Sequence, residues 1–97
     1  MIYLTQIMYV HAGREATFEA FESVVLPLLA KYRGELVLRL RCDKIAGTAE
    51  SPHEVHIVTF EAEEDLDRYS NDPDRQRVLP LRNESVQRSM LIKGTLV

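Results

Sequence analysis

A chain of 97 residues has room for one hydrophobic core, so we predict a single domain over residues 1–97. Hydrophobic residues make up 45% of the chain and charged residues 28%, a balance that argues against both a disordered chain and a membrane-embedded one. The formal net charge of -3 argues against a general nucleic-acid binder, because phosphate contacts depend on a basic surface.

The first two predicted elements are a strand and a long helix. Residues 2–10 are rich in β-branched and aromatic side chains and contain no glycine or proline, which favours a strand. Pro27 is expected to kink the helix that follows, and Gly34 is expected to end it in the left-handed conformation. Apolar residues recur at the three- and four-residue spacing of one helix face, at Phe18, Phe21, Val25, Leu28, Leu29 and Tyr32.

The second strand is predicted over residues 35–45, where apolar and polar side chains alternate. This alternation places Arg39 and Arg41 on one face of the strand. Cys42 lies on the other face, so we expect it to be buried and unreactive. The residues predicted to share that apolar face are Leu36, Leu38, Leu40 and Cys42.

A hairpin loop and a third strand follow. Residues 46–52 are small and polar, which indicates the loop of a wide hairpin. Residues 54–61 carry four large apolar side chains and predict the third strand. A helix begins next, because the acidic residues in the run 61–67 suit a first helical turn that lies in solvent.

Asp72 and Pro73 indicate a further short helix, since aspartate caps free backbone N–H groups and proline fits the first helical position. Pro80 is expected to bend or end this helix. Residues 89–97 then predict the fourth strand. The order strand, helix, strand, strand, helix, strand is the ferredoxin-like α+β arrangement, in which a four-stranded antiparallel sheet carries its helices on one face.

The first and fourth strands are apolar on both faces, although the helices can cover only one face of the sheet. In the first strand, Leu4 and Met8 point one way and Ile7 and Tyr9 the other. A second copy of the chain is the simplest cover for the open face, because twofold homodimers are the commonest assemblies. We therefore predict a homodimer, and the alternative is a monomer with a few exposed apolar residues.

The N-terminal sequence and the cysteine content indicate a cytoplasmic protein. The apolar run at residues 2–10 is short and is interrupted by Thr5 and Gln6, so it fits neither a signal peptide nor a spanning helix. Cys42 is the single cysteine and cannot form a disulfide within the chain, which is compatible with a reducing compartment. We expect neither a membrane nor a nucleic-acid partner.

Three stretches carry a family resemblance: Gly34 with residues 36–39, which end in an arginine, residues 54–60, and Asp72-Pro73 with Leu81-Arg82. These stretches resemble motifs of the domain of unknown function 1330 (DUF1330). The first resembles its glycine followed by a strand with an arginine, the second its third strand, and the third its helix with an aspartate-proline and a leucine-arginine pair. That family of uncharacterised small proteins lies in the dimeric α/β-barrel superfamily. The resemblance implies two sheets packed face to face in a homodimer, with a small cavity between each sheet and its own helices.

The resemblance implies no particular reaction. Related proteins include cofactor-free monooxygenases, haem-degrading enzymes, isomerases and proteins without known activity. The chain has no tryptophan, and no asparagine, tryptophan and histidine set of the monooxygenase kind aligns with it. Whether the chain is an enzyme is left open, and no cofactor is expected.

His53 and His56 raise the question of a metal site because they are three residues apart. On a strand, residues three apart point to opposite faces, so this pair cannot share an ion unless the strand begins after His53. No second cysteine or carboxylate cluster lies near them to complete a zinc site. We therefore predict no metal site.

Four residues are candidates for a ligand site: Arg39, His56, Tyr69 and Arg82. The arginines can hold a carboxylate or phosphate through paired N–H groups. His56 lies among apolar strand residues and is the candidate for proton transfer, while the Tyr69 hydroxyl can orient a ligand. Each has a structural alternative, namely salt bridges for the arginines, a hydrogen-bonded core histidine and a core tyrosine.

The sequence best fits a homodimer that binds a small anionic or aromatic metabolite in a pocket between sheet and helices. One alternative is a cofactor-free enzyme of the monooxygenase or isomerase type. In such an enzyme His56 would move a proton and the arginines would stabilise developing negative charge. A ligand-sensing dimer or a purely structural dimer also fits the sequence.

Overall fold

A computed structural model describes residues 1–43 and 51–97. The strands are β1 (Ile2–Val10), β2 (Gly34–Arg41), β3 (Glu54–Phe60) and β4 (Val86–Gly94), and the helices are α1 (Glu15–Leu28), α2 (Glu63–Ser70) and α3 (Pro73–Ser85). The predicted α+β order is confirmed, with the second helical region divided into α2 and α3. Residues 44–45 of the predicted second strand and most of the predicted loop at 46–52 lie outside the described residues.

The four strands form one antiparallel sheet in the order β2, β3, β1, β4. Across the central pair, Leu4 lies opposite Val58 and Gln6 lies opposite His56. Because side chains alternate along a strand, these four residues share the face that the helices cover. The hydrophobic core forms on this face around Leu4, Leu29, Val58 and Phe60. In the parts of the chain that the structure describes, no helix is long and apolar enough to cross a membrane.

A register shift in β2 changes which of its side chains share a face. Leu36 lies opposite Val58, but Leu38 lies opposite Ile57, so Val37 is an extra residue in the strand. Leu36 therefore faces the helices, whereas Leu38 and the residues that alternate with it face the open side of the sheet. The prediction of one common face is therefore wrong for Leu36, Leu38, Leu40 and Cys42.

Cys42 follows the end of β2 and is only partly buried, so the prediction of a core position is wrong. Burial raises the pKa of the Cys42 thiol, and the negative charges of Glu54 and Asp43 raise it further. The thiolate form is therefore disfavoured. Arg39 and Arg41 lie beyond the register shift and share one face, as predicted.

The end of α1 differs from the prediction. The left-handed residue is Arg33, with φ of 57°, and not Gly34. Gly34 begins β2 beside the ring of Phe60, where an added Cβ would lie 2.8 Å from Phe60 Cε1 and 3.0 Å from the carbonyl oxygen of Leu29. A glycine is therefore required at this position by close packing, and not by backbone conformation.

The acidic run at residues 61–67 contains a buried carboxylate. Asp65 is buried; its carboxylate accepts the backbone N–H of Ala62 at 3.1 Å and pairs with Arg33 at 2.7 Å. The prediction of a solvent-exposed run is therefore wrong for Asp65. Its carboxylate accepts a free backbone N–H group at the start of α2, and through Arg33 it ties α2 to the turn that follows α1.

Asp72 caps α3 as predicted, accepting the backbone N–H groups of Asp74 and Arg75. The helix does not end at Pro80 but continues past it and joins the last strand. The strand β4 begins at Val86, three residues before the predicted start. Met90 and Ile92 lie on its open side, but Leu91 shares the helix side with Ser89 and Lys93, so that face is mixed and not apolar as predicted.

The face of the sheet opposite the helices, here called the open face, is apolar. Its outer positions on β2 and β4 are 38% to 55% exposed, which is high for large apolar side chains. Among the described residues, those that the strand registers place on it include Tyr3, Ile7, Tyr9, Leu38, Leu40, Val55, Ile57, Met90 and Ile92. An apolar layer of this extent is typical of a buried sheet surface.

Candidate functional site

A cavity of about 120 Å³ lies between the helix-covered face of the sheet and the three helices. A cavity of roughly 150 Å³ in another protein holds benzene, so this one has the scale of a small organic ligand. Most of the lining is aliphatic or aromatic. Its polar side chains are Gln6, Glu22, His56, Tyr69, Ser70, Arg75 and Arg82.

Three of the four predicted ligand residues lie in this lining: His56 on β3, Tyr69 on α2 and Arg82 on α3. Arg39 does not join them. Its Nε lies 3.1 Å from Glu54 Oε1, and its Nη2 lies 2.9 Å from Glu19 Oε2. Arg39 thus has the salt bridges that were its structural alternative, and it lies behind the cavity wall.

Two buried carboxylates flank His56. Glu54 is 1% exposed and is hydrogen-bonded to His56 Nε2. Glu22 is 3% exposed, and its Oε2 lies 3.6 Å from the same nitrogen. The imidazole therefore connects a carboxyl that lines the cavity with a carboxylate behind it.

Sequence reasoning placed neither carboxylate beside His56, although Glu54 was a candidate salt-bridge partner of Arg39 and Arg41 and the structure confirms that pairing. Glu54 lies two residues before His56, so strand alternation puts the two side chains on one face. Glu22 lies four residues after Phe18 and three before Val25, which is the spacing of the buried face of α1. Both signals were present in the sequence. A glutamate on an amphipathic helix is usually assigned to the solvent face.

The groups around Glu54 keep its carboxylate ionised. Burial alone would raise the pKa of its carboxyl, but hydrogen bonds from His56, Arg39 and Arg41 outweigh burial and lower that pKa below its usual value. Arg41 Nη2 lies 3.0 Å from Glu54 Oε1. Two guanidinium groups and an imidazole therefore compensate the buried negative charge.

Glu22 has the opposite protonation state. Burial raises the pKa of its carboxyl to about 8, and repulsion from Glu54 acts in the same direction. The positive charges of Arg39 and Arg82 offset only part of this effect. The Glu22 carboxyl is therefore mostly neutral at pH 7.

Arg75 and Arg82 bring two positive charges to the cavity wall. Arg82 Nη2 donates to Ser89 Oγ at 3.1 Å, and the Arg75 guanidinium lies 5.1 Å from the centre of the Tyr69 ring. The Nε of Arg75 is buried and has no hydrogen-bond partner within residues 1–43 and 51–97. Burial, and then repulsion from Arg75, lower the pKa of the Arg82 guanidinium. Within the described ranges, neither arginine forms an ion pair with a carboxylate.

The three buried groups also have the spacing of a metal site. Glu22, Glu54 and His56 each offer one ligand atom, and these atoms lie within 4.8 Å of one another. Arg39 and Arg41 already neutralise Glu54, which disfavours a further cation beside it. His53 does not join the cluster, because its ring packs edge-on against Phe18. That the protein binds no metal stays a prediction.

Comparison with protein families identifies the chain. The family model of DUF1330, a domain of unknown function, matches residues 4–95. The chain belongs to the DUF1330 family. The resemblance that the sequence motifs indicated is therefore confirmed for this DUF1330 chain. Among proteins with curated functions, none matches it.

Solved structures resemble the DUF1330 chain over its full length. A Rhodopseudomonas palustris protein of unknown function aligns with a TM-score of 0.85 and 14% identity, over 99% of this chain and 82% of that one. A dabb family protein with a ferredoxin-like fold from Mesorhizobium loti has a TM-score of 0.69 and 19% identity, over 99% and 96% of the two chains. A dimeric protein of unknown function from Bacteroides fragilis, also ferredoxin-like, has a TM-score of 0.73 and 11% identity, over 98% and 95%. These similarities confirm the ferredoxin-like fold.

Proposed function

We propose that this DUF1330 protein is a homodimer in which each protomer binds a small organic acid in the cavity between its sheet and its helices. The observation that carries the proposal is the charge of the cavity wall. Arg75 and Arg82 lie there without a carboxylate partner in the described part of the chain, and Glu22 is mostly neutral at pH 7. The wall therefore has an excess of positive charge that an anion would balance.

The shape and polarity of the cavity support an acid with an apolar body. Leu4, Val25 and Phe60 are among the residues that enclose it, and they favour a hydrocarbon or aromatic group. The arginines lie on α3, so the carboxylate would point toward that helix and the apolar body toward the sheet. The volume suits a ligand of about six to nine non-hydrogen atoms, since benzene fills a cavity of similar size.

The open face supports the dimer. An apolar layer across all four strands is the surface that a second copy can bury by the same patch on both protomers. The structural neighbour from Bacteroides fragilis is described as dimeric and shares the fold. The expected cytoplasmic location remains a prediction, based on the single cysteine.

A thermal-shift series with matched acids and amides tests the binding proposal. Benzoate and butanoate should raise the melting midpoint, because a ligand that binds only the folded state stabilises it by mass action. Benzamide and butanamide have almost the same shapes without the charge, and they should have little effect at the same concentration. Equal shifts for acids and amides would refute the anion site. No shift with any of them would support the purely structural dimer instead.

A further inference from the structure

Glu22 is a cavity-lining carboxyl that anion binding alone does not require. It lies at the middle of α1, is 3% exposed and lines the same cavity as Arg75 and Arg82. A buried carboxyl beside a bound anion would repel that anion if it were ionised. Its presence in the wall therefore calls for a role that depends on its proton.

The groups that face Glu22 come from every element packed around it. Those with negative charge favour its protonated form, and those with positive charge favour its ionised form. They are Glu19 on α1, Arg39 on β2, Glu54 and His56 on β3, Tyr69 on α2, and Arg82 on α3. Burial and these charges together raise the pKa of the Glu22 carboxyl to about 8. A group whose pKa lies near the working pH can both accept and return a proton.

His56 gives this carboxyl a contact behind the cavity wall. Its Nε2 lies 3.6 Å from Glu22 and is hydrogen-bonded to Glu54. Glu54 is in turn bound by Arg41, whose side chain is 54% exposed. These contacts hold the imidazole in place beside the Glu22 carboxyl, and they leave the cavity itself as the route by which Glu22 exchanges its proton.

We propose that Glu22 moves protons to and from a 2-oxo acid held by Arg75 and Arg82, so that the protein interconverts the oxo and enol forms without a cofactor. This inference rests on the proposed function, because it needs the acid to bind in the cavity. Glu22 is the catalytic residue in this proposal. His56 is a positioning residue, because Glu54 fixes its ring 3.6 Å from the Glu22 carboxyl.

The proposed step needs no oxidant, reductant or second substrate. The step starts from the minor fraction of molecules in which Glu22 is ionised and the arginines offset its repulsion from the bound carboxylate. There Glu22 takes a proton from the carbon beside the oxo group, so a C–H bond breaks and an O–H bond forms on Glu22. The electron pair of the C–H bond becomes part of a carbon–carbon double bond, and the oxo oxygen takes the negative charge near the guanidinium groups. Glu22 then returns its proton to that oxygen, which gives the enol, or to the carbon, which restores the oxo acid.

Hydrogen exchange of 2-oxobutanoate in D₂O measures this step directly. The protein should speed the loss of the C3 proton signal in NMR spectra over that in buffer, and the rate should rise with pH up to about 8 and then level off. E22Q should lower the rate by about 100-fold or more, since a positioned acid–base group contributes on that scale. E84Q is the matched control, because Glu84 is an exposed residue of α3 that pairs with Arg14; it should exchange at the wild-type rate.

Thermal shifts with 2-oxobutanoate and benzoate on the same proteins separate the two proposals. Two results would overturn the proton-transfer role and leave the binding site intact. In one, the wild type binds 2-oxobutanoate but its hydrogen exchange is no faster than in buffer. In the other, E22Q and the wild type exchange it at the same rate. Binding of benzoate alone would also overturn it. No binding of either acid would overturn both proposals.

Discussion

His56 Nε2 lies 3.6 Å from Glu22 Oε2, and the same nitrogen is hydrogen-bonded to Glu54. One imidazole therefore lies between two buried carboxyl groups, of which Glu54 is charged and Glu22 is mostly neutral. Glu54 is ionised because it is bound by His56, Arg39 and Arg41, whereas Glu22 keeps its proton because it is buried with fewer compensating charges. Glu54 thus belongs to a network of ion pairs, whereas Glu22 belongs to the cavity that we propose binds an anion.

The first prediction concerns the pH dependence of stability due to Glu22. The unfolded carboxyl ionises near 4.5 and the folded one at about 8, so between these values the folded state holds an extra proton. The free energy of unfolding of the wild type should therefore fall, relative to E22Q, as the pH rises from about 4.5 to about 8. The total change should be of the order of 5 kcal/mol. Urea unfolding at several pH values and one protein concentration measures it, and a pH-independent difference would contradict the buried neutral state.

The second prediction concerns Gly34. G34A places a methyl group against the Phe60 ring and the Leu29 carbonyl oxygen, so it should lower the free energy of unfolding by about 1 to 3 kcal/mol, as overpacking does elsewhere. G94A is the matched control, because a Cβ at Gly94 has no neighbour within 4 Å among the described residues. Denaturant unfolding of the two variants compares them. Equal effects would contradict the close contact with Phe60.

The third prediction concerns the open face. I92E puts a charge on the apolar layer of β4, where Ile92 is 49% exposed in the single protomer. Size-exclusion chromatography with light scattering should show a dimer for the wild type and a monomer for I92E, because an unpaired charge buried between sheets is costly. A20E, on the exposed surface of α1, should stay dimeric. A dimer of I92E with wild-type affinity would contradict pairing through this face.

The fourth prediction concerns Asp72, which caps α3 and accepts a hydrogen bond from Tyr32. That bond, with the backbone N–H groups and Lys31, lowers the pKa of Asp72 to about 2. D72N keeps a capping oxygen but removes the charge. The wild type should therefore melt several degrees above D72N at pH 7, and the difference should shrink as the pH falls from about 4 to about 2. A difference that does not change over this pH range would show that the charge is unimportant.

The order of elements was predictable because its signals are local. Strand composition, helical spacing and the Asp72-Pro73 start each depend on neighbouring residues, and each predicted the right type of element. The register shift at Val37 was not predictable from the sequence. The strand β2 has large apolar residues on both faces, so unbroken alternation fits its sequence equally well. The start of β4 at Val86 was missed because the apolar run that marks this strand begins only at Met90.

The candidate site was only partly predictable because it depends on contacts between distant segments. His56 and Tyr69 were chosen as polar groups among core residues and Arg82 because it matches the leucine-arginine helix of the family, and all three line one cavity. Arg39 looked equivalent to Arg82 in the sequence, but Arg39 pairs with Glu19 and Glu54 and does not line the cavity. The burial of Glu22 follows from the packing of α1 against β3 and α3, which helical spacing suggests but does not determine.

Calorimetric titration of benzoate into the wild type, R82Q and R77Q tests the anion site most directly. Arg77 is the matched control, because it is an exposed residue of α3 that pairs with Asp74 at 2.7 Å and does not line the cavity. Loss of a charged hydrogen bond should raise the dissociation constant of R82Q by roughly 10- to 100-fold. R77Q should bind as the wild type does. Equal affinity for all three proteins, or no binding to the wild type, would contradict the account.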